Sequence, residues 1–118
     1  MQENKQVTVP DILEAIRREA MRELDPDRAV LLLQKLSALL GTVTDEWITA
    51  EMNFNRYYET MTTKFEKVTE AKAHAKASME YEWKLRAEGL LDVTKELINS
   101  LKYSIKNKLS ERQESRYQ

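Results

Sequence analysis

Apolar residues recur along the chain at intervals of three and four, in stripes that predict amphipathic helices. The first stripe is Ile12, Ile16, Ala20 and Leu24, with Leu13 beside it. Thr8 and Asp11 have the spacing of a capping box with aspartate in place of glutamate, and Pro10 suits the first turn, where no amide donor is needed. Asp25-Pro26 then ends this helix and opens a second, whose broad face is Leu32, Leu33, Leu36, Leu39 and Leu40. Gly41 reads as its C-terminal cap, so residues 8–41 form a helical hairpin.

A third helix is expected after Thr42 or Thr44, with Asp45 and Glu46 in its first turn. Phe54, Tyr58, Met61, Phe65 and Val68 alternate spacings of four and three, the seam of helices packed nearly parallel or antiparallel. The last segment carries Ala87, Leu91, Thr94, Ile98, Leu101, Ile105 and Leu109, widened by Leu90, Val93 and Leu97. Long helices therefore occupy 43–113, between a disordered 1–7 and a frayed 114–118.

Where the long segment turns back is read in three ways. Thr69, followed by Glu70, is the favoured cap of a new helix; Ser78, followed by Glu80 and Glu82, is the second choice. An unbroken rod, about 100 Å long at 1.5 Å per residue, would require oligomerisation along it. Pro10, Pro26, Gly41 and Gly89 are the chain's whole supply of glycine and proline, too few for the tight turns of a sheet. The expected fold is all-α: a single domain of two short N-terminal helices packed on a long helical hairpin, an elongated bundle with a coiled-coil-like seam.

Composition narrows the function. In 118 residues, 42% are hydrophobic and 33% charged, too apolar for a disordered tail and suited to long amphipathic helices. A net charge of -1 singles out neither nucleic acid nor an anionic membrane, and cysteine is absent, so there are no disulfides or thiolate metal sites. The polar start MQENKQVTVP lacks an apolar stretch for a signal sequence, and the longest apolar run, 29–33, cannot span a bilayer.

Catalytic chemistry finds no support. His74 is the only histidine; with Glu70 and Glu66 at one-turn intervals before it, it still lacks third and fourth ligands, and its plain reading is an exposed residue of a lysine- and alanine-rich helix. The many glutamates include no Glu-x-x-His pair, and acids such as Glu80, four residues before Lys84, read as a solvated face with weak ion pairs. No phosphate-cradling loop or activated nucleophile is present. The expectation is a non-enzyme with no metal, no cofactor and no membrane contact.

Two interaction signals remain. Residues 1–59 carry 7 basic and 11 acidic side chains, residues 60–118 carry 12 and 9. The basic excess gathers in Lys102, Lys106, Lys108, Arg112 and Arg116, with Tyr103 interleaved, a pattern able to follow a nucleic-acid backbone or simply to favour a helix C-terminus. Aromatics cluster at Trp47 and Phe54, Tyr57 and Tyr58, Tyr81 and Trp83; neighbours one or two apart cannot share one core face, so some lie at a boundary and are candidate anchors for a partner. The candidate protein interface is Leu32, Leu36, Phe54, Tyr57, Tyr58, Met61, Phe65, Tyr81 and Trp83, its partner a second copy or another subunit; for Leu32, Leu36, Phe54, Tyr58, Met61 and Phe65 the spacing fits a core as well as an interface. The nucleic-acid set is the alternative.

The stretch KVTEAKAHAKASMEYEW, followed by a leucine-rich helix and SLKYSIKNKLSERQE, resembles small helical proteins encoded by bacteriophages and mobile elements, over residues 67–114. The resemblance implies an SLK-type turn, a basic, glutamate-ended closing helix, and a role as virion component or accessory protein. It carries no functional residue over. The expected location is the cytoplasm, that of a host if the chain is phage-encoded, or the inside of a virion if it is a structural component.

Overall fold

The computed structural model describes residues 7–22 and 24–116, with side chains as far as Glu111. Within them the chain is all-α, with four helices: α1 (Val9–Ala20), α2 (Pro26–Lys64), α3 (Val68–Lys76) and α4 (Met79–Arg116). The capping box at the start of α1 is formed, the Thr8 hydroxyl accepting from the Asp11 amide and the Asp11 carboxylate accepting from the Thr8 amide.

α1 ends at Ala20, earlier than the stripe to Leu24 suggested, and Leu24 lies outside any helix. Pro26 disfavours helical geometry in the residue before it, and Leu24 and Asp25 lie outside both helices. Arg28, in the first turn of α2, clamps this link: its guanidinium donates through Nε and Nη2 to both carboxylate oxygens of Glu19, the Nη2 contact at 3.0 Å. The hydrogen bond from Arg28, with its nearby charge, lowers the Glu19 pKa against the opposing effect of burial.

The expected stop at Gly41 does not occur. α2 runs through it with helical geometry, and the second and third expected helices are one. Glycine in a helix interior costs only about 1 kcal/mol relative to alanine. The stripe continues beyond it through Val43, which is fully buried, so packing overrides the local signal.

The described residues fall into two compact units, one drawn from 7–40 and 93–116, the other Gly41–Asp92. In the first, Leu13 and Ile16 of α1, Ala29, Leu32 and Leu36 of α2, and Thr94, Ile98 and Leu101 of α4 are buried. Leu97 and Ile105 are half-buried and Leu109 is exposed, so the α4 stripe is centred on Leu101 and fades toward its end. Of the two fates open to Leu32 and Leu36, core or interface, burial within the chain is the one they take. In the second unit the buried set is Val43, Met61, Ala71, Ala75, Ala87 and Leu91.

Both candidate breaks are real. α2 ends at Lys64, and Lys67, with extended backbone (φ -97°, ψ 129°), is the N-cap of α3 without a side-chain capping bond. Thr69 therefore lies inside α3 and is not its cap, and Val68, placed in the seam by its spacing, is exposed because the helix has already ended. Ser78 does cap: its hydroxyl accepts from the Tyr81 amide at 3.2 Å and donates to the Ala75 carbonyl at 2.6 Å. Ser100, Leu101 and Lys102 lie within α4, so the SLK-type turn implied by resemblance is absent. The backbone of 114–116, expected to fray, is helical; residues 1–6 and 117–118 lie outside the described residues.

Candidate functional site

Among the described residues of the second unit lies a pair of clefts of opposite charge. α3 seats itself through Ala71 and Ala75, a pair of small residues one turn apart, both fully buried. This directs Lys72 and Lys76, also one turn apart, to one rim of a cleft of about 390 Å³. Phe54, Asn55 and Tyr58 of α2 and Tyr81 and Lys84 of α4 complete it.

In an unbroken helix Lys76 and Tyr81 would point about 140° apart. The link at Ala77 and Ser78 changes that phase and brings α3 lysines and α4 residues around the same opening. The floor is aromatic. Phe54 lies 5.3 Å from Tyr81 and 6.4 Å from Tyr58, centroid to centroid. The Lys84 ammonium sits 4.7 Å from the centre of the Phe54 ring, a cation–π contact in place of the expected ion pair with Glu80. Three ammonium groups and no carboxylate line this cleft, so its field favours anions.

The other cleft, about 340 Å³, is lined by Asp45, Glu46, Thr49, Ala50 and Asn53 of α2 and by Trp83 of α4. It holds two carboxylates and no cation, and its indole is 49% exposed. Tyr81 and Trp83, two positions apart, thus serve different clefts, as their spacing required.

The remaining candidates scatter. Met61 is buried, Tyr57 is half-buried, and Phe65 stacks on His74 at 4.4 Å with 19° between the rings, which places the lone histidine against a ring at the α2–α3 corner. Among the described residues no three or more histidines and carboxylates converge as a metal site. Lys102, Tyr103 and Lys106 are exposed in the first unit, with Lys108 half-buried, while the side chains of Arg112 and Arg116 lie outside the described residues. Sequence reasoning missed Lys72, Lys76 and Asn55, and took Lys84 only as an ion-pair partner. The four-residue spacing of Lys72 and Lys76 was a visible signal; their meeting with Phe54 and Tyr81 is tertiary.

No family model matches the chain, and no curated protein or solved structure matches it. Among the described residues no helix is long and apolar enough to cross a membrane.

Proposed function

We propose that the chain is a non-enzymatic helical interaction protein, working as an oligomer or as a subunit of a larger assembly. One observation carries this reading: Trp83, the residue type most enriched at binding hot spots, stands nearly half exposed in an open cleft rather than in the core. Ile48, Met52 and Leu85 of the same unit are comparably exposed. The resemblance of residues 67–114 to phage-encoded helical proteins leaves a virion component or a small accessory protein as the form this role would take. Cross-linking of the full chain at micromolar concentration, with a parallel pull-down from cell lysate, tests the reading. Discrete cross-linked species or a stoichiometric partner are expected; a chain that remains single in both overturns it.

A second reading, a nucleic-acid accessory protein, is favoured by Tyr103, which is 68% exposed between Lys102 and the exposed Lys106. It requires binding that weakens steeply with salt and that Lys102→Gln with Lys106→Gln reduces across all sequences. No binding at low salt removes it.

A further inference from the structure

We infer that the two clefts of the second unit are the two halves of one contact between copies of this chain: the acidic cleft with Trp83 docks into the lysine cleft of the next copy. The inference rests on the assembly reading above and names the partner. Charge complementarity carries it. Asp45 and Glu46 face out beside a half-exposed indole with no cation lining their cleft, while Lys72, Lys76 and Lys84 surround an aromatic floor with no carboxylate lining theirs. Each cleft supplies what the other lacks. Trp83 presents the ring that binds ammonium groups best, and Lys84 already shows the cation–π geometry on Phe54. The net charge of -1 sets almost no long-range repulsion against self-association.

The topology of the contact follows from α4. Tyr81 marks the lysine cleft and Trp83 the acidic one, and two helical positions are about 200° apart. The clefts therefore open to opposite sides of the helix, and one two-fold contact cannot engage both pairs. Association is head-to-tail, giving a ring if the rotation closes and a filament if it does not. The six and seven residues lining the clefts are few beside the 20–30 residues per side of a standard stable interface, so the contact is weak and sensitive to salt.

Sedimentation velocity on the full chain, over a concentration series at low and at half-molar salt, reads this directly. The wild type is expected to pass beyond dimer with rising concentration and to fall back toward monomer in salt. Lys72→Gln/Lys76→Gln/Lys84→Gln and Asp45→Asn/Glu46→Gln/Trp83→Ala are each expected to weaken association by about tenfold or more. Mixed in equal amounts, the two variants retain one good cleft each and should form a 1:1 heterodimer that grows no further. Should Trp83→Ala lower helicity by circular dichroism, Asp45→Asn/Glu46→Gln alone replaces it. A wild type that assembles but is indifferent to both variants overturns this contact and leaves the assembly reading standing. So does a wild type that stops at a symmetric dimer, or a mixture that stays monomeric. A wild type monomeric throughout that binds single-stranded DNA through the same lysines assigns the cleft to nucleic acid and overturns the inference.

Discussion

Replacing Leu101 by alanine probes the packing of the first unit at its most buried α4 leucine. Leu101 is 2% exposed, and Ile98 and Thr94, three and seven residues before it, are buried on the same helix. The substitution removes three carbons, about 2.4 kcal/mol at about 0.8 kcal/mol per buried methylene. A residual cavity adds to this, because the surroundings of a buried leucine collapse only in part; a total of about 3 kcal/mol falls within the usual 2–5 kcal/mol. For a domain whose whole stability is about 5–15 kcal/mol that is a large share, and the melting temperature should fall by roughly 10–15 °C. Urea and thermal unfolding followed by circular dichroism at one fixed, dilute protein concentration measure it. Lys102→Ala, at an exposed neighbour, is the control and should cost no more than about 0.5 kcal/mol. Equal losses at both positions, or a loss at Leu101 below about 1 kcal/mol, would refute the assigned phase of α4.

Three further outcomes follow from local structure. A β-carbon built on Gly41 or Gly89 meets nothing within 4 Å and both have ordinary helical backbone, so Gly41→Ala and Gly89→Ala should each stabilise by about 0.5–1 kcal/mol in urea titrations; destabilisation would mean α2 or α4 is not continuous there. Arg28 holds the Glu19 pKa below its ordinary value, so the clamp contributes above the unfolded glutamate pKa and is lost as pH falls through the lower folded one. Glu19→Gln should therefore flatten the acid limb of the stability–pH profile, and an unchanged limb would deny the clamp. Ser78→Ala removes the cap of α4 and should cost about 1 kcal/mol by the same unfolding assay, with no loss if α3 and α4 are one helix.

Legibility in the sequence followed the range of the forces involved. The α1 capping box spans three residues and was fully readable from Thr8 and Asp11. The buried positions Leu32, Leu36, Ile98 and Leu101 were readable from spacing, because each helix repeats its own stripe. Gly41 misled because a local preference of about 1 kcal/mol lost to packing beyond it, at Val43. The fate of Leu32 and Leu36, core rather than interface, depended on what covers them, which spacing does not encode. The lysine cleft was illegible for the same reason. Lys72 and Lys76 share a face by spacing, but only the re-phasing at Ala77 and Ser78 sets them beside Tyr81, and only the return of the chain along α2 sets them beside Phe54.

The claim that this chain works through assembly is tested most directly by its mass in solution. Multi-angle light scattering on the intact protein, from micromolar to hundreds of micromolar at low salt, should give a mass that rises with concentration above the 13.9 kDa of one chain and falls when salt is added. A mass fixed at 13.9 kDa across that whole range would contradict self-assembly.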